Sequence, residues 1–131
     1  MALDPRIYSY VKTEESYPDK GVIVKEGAHG DWIYVVLEGR VKVRKKTEKG
    51  MLTVATLKEG AVFGELVFLQ NKRGQRSASV VADGAVTVGI FDPNQLGSEL
   101  GKLSPMLRKL LASLADRLEE VSGKLVTRAS Q

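Results

Sequence analysis

The stretch "AVFGELVFLQNKRGQRSASV", residues 61–80, decides how the rest of the chain is read. Its two flanks, Ala61–Phe63 and Ser77–Val80, have the composition of β-strands, and a short turn would have sufficed to join them. The chain instead inserts Gly64, the acid Glu65, an apolar run and a polar, basic connector over Asn71–Gln75. Arg76 follows, and after it the small residues Ser77, Ala78 and Ser79. Gly64 permits a left-handed turn, and the residues from Glu65 suit one turn of helix. The first N–H groups of such a turn lack intrahelical partners and carry partial positive charge, so they attract anions. Arg76, 11 positions after Glu65, adds a permanently charged fork that matches a phosphate. Ser77 adds a hydroxyl and an N–H. An acid beside an anion site makes sense if the ligand also offers hydroxyls, as a ribose phosphate does. The same acid and arginine can instead form a salt bridge that closes a loop, worth about 0–1 kcal/mol if exposed. On these residues alone the salt bridge is the simpler account.

Working outward, β-type runs extend from Gly21 to about Asp92: Gly21–Gly27, Ala28–Gly39, Arg40–Lys46, Met51–Leu57, Ser77–Asp83 and Ala85–Phe91. They are rich in Val, Ile, Thr and aromatic residues and are separated by glycine, including Gly30 and Gly74. This spacing indicates a β-sandwich or barrel. Val41 and Val43 alternate with Lys42 and Arg44, as in a half-buried strand. The basic run Arg44–Lys46 precedes "EKG" and reads as a solvated hairpin tip rather than a nucleic-acid-reading face.

Beyond Pro93 the pattern becomes helical, with a short helix over Asp92–Leu100 and a long one over Ser104–Val126. Ser104 is a good N-cap and Pro105 suits the first helical position. Leu107, Leu111, Leu114, Leu118, Val121 and Leu125 form a heptad seam. Leu103, Met106 and Leu110 lie beside it, where they can contact a barrel, so the seam itself is expected to pair two copies of the chain. The final "TRASQ" reads as a frayed tail.

At 131 residues the chain is expected to be a single domain with its own core, a β-roll over about 17–92 and helices over about 93–126. It contains no cysteine, which removes disulfide and thiolate chemistry and fits a reducing cytoplasm. No apolar run reaches the ~18–20 residues needed to span a bilayer. A net charge of +4 is spread over 20 basic and 16 acidic residues, a weak signal for nucleic acid. His29, the only histidine, reads as a solvated turn residue, too little for a metal site of the kind small β-barrel enzymes carry. Neither Glu14–Glu15 nor Glu119–Glu120 is placed as an acid/base dyad, because neighbours in sequence point apart. No catalytic residues and no cofactor are expected.

The order "FGEL" (Phe63–Leu66) then "RSAS" (Arg76–Ser79) resembles the phosphate-binding cassette of cyclic nucleotide-binding domains, such as those of catabolite activators and kinase regulatory subunits. The run Lys20–Val43, with Gly27 and Gly39, is similar to that family's first hairpins. The resemblance implies a mainly β fold with C-terminal helices, a double-stranded β-helix or jelly roll. It implies that Phe63, Gly64, Glu65, Leu66, Arg76, Ser77 and Ala78 form the ligand site. Glu65 would accept from the ribose 2′-OH, and Arg76 and Ser77 would hold the cyclic phosphate. Ser122, on the long helix, would face the base. The expected ligand is cyclic AMP or cyclic GMP and the expected role a stand-alone sensor, without direct DNA binding, because no winged domain follows the helix. The cassette departs from the family habit in its longer connector and in the bulk of Val67 and Phe68. A ligand-free domain of the same fold, used for dimerisation or docking, therefore stays open as the alternative.

Overall fold

The computed structural model describes residues 4–30, 32–70 and 75–130. A short helix α1 (Pro5–Tyr8) leads into β1 (Val11–Tyr17), β2 (Val22–Val24), β3 (Tyr34–Thr47), β4 (Gly50–Leu57) and β5 (Val62–Phe63). Then come α2 (Glu65–Leu69), β6 (Ser79–Phe91), α3 (Pro93–Gly101) and α4 (Pro105–Ser130). All strand pairs are antiparallel.

Two long strands organise the sheet. The first half of β3 and the second half of β6 pair with each other, with β5 and β1 on their flanks. The second half of β3 and the first half of β6 pair again, flanked by β4 and β2. One hydrogen-bonded sheet thus doubles into two leaves, the jelly roll. The register shifts in β3 on both sides of Glu38, and Gly39 adopts φ 89°. A Cβ at Gly39 would lie 2.5 Å from the Ala85 carbonyl oxygen, so only glycine lets the two long strands cross this closely.

Side-chain patterning follows from what covers each leaf. Val24, Val36, Val41, Phe63, Val80, Ala82, Val86 and Val88 form the core between the leaves. A second cluster, Ile33, Val35 and Phe91, lies on the outer face, covered by Ile7, Phe68 and Leu96 from the helices. Val35 and Val36 are both fully buried, because this half of β3 is covered on both faces. Burying a valine contributes about 1.5–3 kcal/mol. The second half of β3 has solvent outside, so Val41 is buried while Arg40 and Lys42 reach outward to Asp83.

The sequence expectations need several corrections. The sheet begins at Val11, before the expected start near residue 17, because β1 is exposed along most of its length and lacks an apolar signature. Pairs of expected strands run on through Gly39 and Gly84 as β3 and β6. Arg44–Lys46 lie within β3, opposite Thr53, Leu52 and Met51, and the turn is Glu48–Lys49. Helix α4 continues to Ser130, so the expected tail is helical to that point. Met106 and Leu110 are exposed rather than packed on the roll. Asn71–Gly74, the Val67 side chain and Gln131 lie outside the described residues.

Candidate functional site

Gly64 ends β5 in the left-handed region (φ 84°) and caps α2. A Cβ there would lie 2.9 Å from the Trp32 carbonyl oxygen and 3.1 Å from Arg76 Nη1. Both backbone conformation and space therefore require glycine. Beneath the turn, the Phe63 ring stacks on Tyr34 at 5.1 Å and 8°. Phe63 is buried in the core, so it supports the site from below.

Arg76 reaches this turn from the far end of the cassette. Its guanidinium is buried, with the residue only 7% exposed. Nη1 donates to the Gly64 carbonyl and Nη2 to the Trp32 carbonyl, each at 2.8 Å. Its backbone is held as well: Arg76 N–H donates to the Ala28 carbonyl, and its own carbonyl accepts from Gly27 N–H. Gly30 packs against the guanidinium, where a Cβ would meet Nη2 at 3.1 Å. The positive charge is thus fixed in place before any partner is considered.

Glu65 opens α2. Desolvation pushes its carboxyl above the ordinary glutamate value, while its own backbone N–H and the Arg76 charge pull it down. The expected salt bridge between the pair is not formed: the described contacts of Arg76 go to carbonyls, and Glu65 senses its charge only through space. Burial likewise raises the Tyr34 hydroxyl, with Arg76 acting in the opposite sense.

Of the expected site residues, the structure brings Gly64, Glu65 and Arg76 together. Ser77 and Ala78 follow Arg76 and are half-buried, as is Leu66 in α2. Ser122 is half-buried on α4, two turns beyond buried Ala115. Phe68 turns to the outer core against Ile33, Val35 and Phe91, so its bulk is used in packing. His29 is exposed and bridges to Gln75.

Sequence reasoning missed two contributions. The Trp32 carbonyl carries no side-chain signal at all. The second is Gln70, the C-cap of α2, which is buried and donates through Nε2 to Glu119 Oε2 at 3.0 Å. Among the described residues, no group of three or more acidic or histidine side chains could hold a metal ion, and no helix is long and apolar enough to cross a membrane.

A glycine turn, an acid and a buried arginine in this order match a known pattern: the profile of the cyclic nucleotide-binding domain fits residues 14–101. The chain belongs to the cyclic nucleotide-binding domain family. It is 34% identical over 93 residues to a cAMP-dependent protein kinase regulatory subunit of Aspergillus fumigatus, covering 71% of this chain and 22% of that protein. It is 33% identical over 109 residues to the human cyclic nucleotide-gated channel beta-1, covering 82% of this chain and 9% of the channel. The chain therefore spans less than a quarter of either relative. Among solved structures, the cAMP-bound EAL enzyme Bd1971 superposes with a TM-score of 0.76 at 27% identity, covering 86% of this chain and 30% of that one. The Thermus thermophilus catabolite activator protein superposes with a TM-score of 0.69 at 28% identity, covering 95% of this chain and 58% of that one. The cyclic nucleotide-binding family domain is a regulatory, ligand-binding unit.

Proposed function

We propose that this chain is a regulatory module that binds a cyclic nucleotide, cyclic AMP first among them, and performs no catalytic step of its own. The observation that carries this reading is the buried Arg76 guanidinium, pinned by two backbone carbonyls beside the Gly64–Glu65 turn. A cation fixed in this way has paid its ordering and desolvation costs in folding, which favours capture of an anion. The cyclic phosphate meets Arg76 and the Ser77 hydroxyl and N–H. The ribose lies against Gly64, its 2′-OH donating to the Glu65 carboxylate, and Ala78 lines the pocket through its backbone. Phe63 and Leu66 hold the turn from behind, and Ser122 meets the base. Ligand then favours one seating of α4 over another, a population shift that requires tighter binding to the favoured seating.

We also infer that α4 pairs with a second copy. Leu107, Leu114, Leu118, Val121 and Leu125 are all exposed, at 49–59%, and they recur in the heptad order that coiled coils use. A large apolar stripe of this kind marks an interaction surface.

Calorimetric titration with cyclic AMP and cyclic GMP tests the sensor reading. A saturable heat and a raised unfolding temperature are expected, with the larger effect from cyclic AMP. Neither heat nor thermal shift at about millimolar ligand, where binding energy is only ~4 kcal/mol, would overturn it.

A further inference from the structure

Helix α4 is 26 residues long, about 39 Å at ~1.5 Å per residue, yet it is seated on little apolar surface. Ala115, 4% exposed, is its only buried side chain among the described residues. Its long apolar side chains mostly point to solvent. The helix packs on α2 and β3, and at α2 it makes the partly buried hydrogen bond from Gln70 Nε2 to Glu119 Oε2. An alanine contact fixes distance but tolerates sliding and rotation. A charge-assisted hydrogen bond to a buried amide fixes direction as well.

The position of Gln70 gives that bond its importance. Helix α2 is five residues long, with Glu65 at one end and Gln70 capping the other. Gln70 N–H is bonded to the Leu66 carbonyl at 2.9 Å, so the amide side chain is tied to a closed turn. A shift at Glu65 must therefore move the Gln70 amide, which is 8% exposed and loses a good partner if Glu119 does not follow. Glu119 lies one turn beyond Ala115, within the seated part of α4.

We propose that the Gln70–Glu119 hydrogen bond is the element through which the cassette itself, as distinct from the base contact at Ser122, passes its occupancy to α4. Both are positioning residues, which need not touch the ligand. This rests on the sensor reading above and names the contact that carries its output.

The test combines calorimetry with hydrogen exchange of α4 amides, with and without cyclic AMP. The proteins are the wild type, Glu119→Ala, and a double exchange of Gln70→Glu with Glu119→Gln that keeps a donor facing an acceptor. In the wild type, cyclic AMP should slow exchange around Ala112–Ser122 by about tenfold. Glu119→Ala should still bind cyclic AMP, its affinity reduced by no more than that same ~tenfold factor, since coupling is reciprocal. Its α4 protection should respond clearly less than the wild type's, keeping only what a base contact at Ser122 supplies, and the double exchange should restore the full response. A ligand response in Glu119→Ala equal to the wild type's overturns the coupling role and leaves the sensor reading intact. No heat of binding in the wild type overturns the sensor reading and the coupling role with it.

Discussion

The cassette and the long helix are held in opposite ways. At the cassette the Arg76 side chain is buried, bonded to two carbonyls and backed by glycines at positions 30 and 64. Helix α4, far longer, has one buried side chain among the described residues, Ala115, is tied to α2 by the Gln70–Glu119 hydrogen bond, and leaves most of its apolar stripe in solvent. Tight seating is needed where geometry selects a ligand, since an arginine displaced by even an ångström loses its bidentate fit. Loose seating is needed where a small free energy must move a large element, because a ligand can shift an equilibrium only by its differential affinity. The contrast itself is an argument that one region receives and the other responds.

Removing Arg76 attacks the tight side and carries the largest expected effect. Arg76→Ala should lower cyclic AMP affinity by about a hundredfold or more, the cost of deleting one partner from a buried charged contact. It should also destabilise the fold by about 2–4 kcal/mol, because the Gly64 and Trp32 carbonyls lose charged donors. Calorimetry reads the first and thermal or urea unfolding the second. Loss of binding with stability unchanged would mean that the carbonyl contacts contribute little, and the tight half of the contrast would fail.

The loose side is tested at the seam. Leu118 is 53% exposed, so Leu118→Glu should change the stability of the isolated fold by no more than ~0.5 kcal/mol. A charge in the centre of a paired seam is costly, and sedimentation equilibrium should find the dimer weakened by at least about tenfold. A large fall in monomer stability, with association unaltered, would mean that the stripe serves the chain's own fold.

How much of this was legible in the residues depended on whether the cause was local. Val41 and Val43 alternate with Lys42 and Arg44 because the two valines meet the core, Val41 within it and Val43 packed against it, and that pattern is written in the side chains. The helices after Pro93 declared themselves by capping residues and spacing. By contrast, Val11–Tyr17 pairs with β6 through its backbone while exposing most of its side chains, so no apolar signal marks it as a strand. The roll-over of β3 at Gly39 is set by the approach of Ala85, distant in sequence. At the site, Gly64, Glu65 and Arg76 were identifiable as types suited to a sugar phosphate. Whether Arg76 closes a salt bridge or points at carbonyls is decided by Trp32, whose contribution is a backbone oxygen common to every residue. Gln70 and Glu119 gave no signal either, because each is an ordinary polar residue until the two elements meet.

The smallest expected effect is also the most specific to the acid. Burial holds the Glu65 carboxyl above its ordinary value of 4.5, so the folded chain keeps that proton to higher pH than the unfolded chain. Between the two values the folded state binds more protons, and stability must fall as pH rises. Above the raised value the full burial penalty is present, and below the ordinary value it is absent. Relative to Glu65→Gln, the wild type should therefore become less stable as pH climbs through this window, read as diverging urea midpoints. Cyclic AMP affinity should run the other way, since only the ionised carboxylate is a pure acceptor for the ribose hydroxyl. Affinity should weaken as pH is lowered through the raised value in the wild type, and the dependence should flatten in Glu65→Gln. Opposite slopes for stability and affinity across one window separate an acid kept for a ligand from one kept for the fold. If both slopes have the same sign, Glu65 does not act as the ribose acceptor and the tight region reduces to Arg76 and its carbonyls.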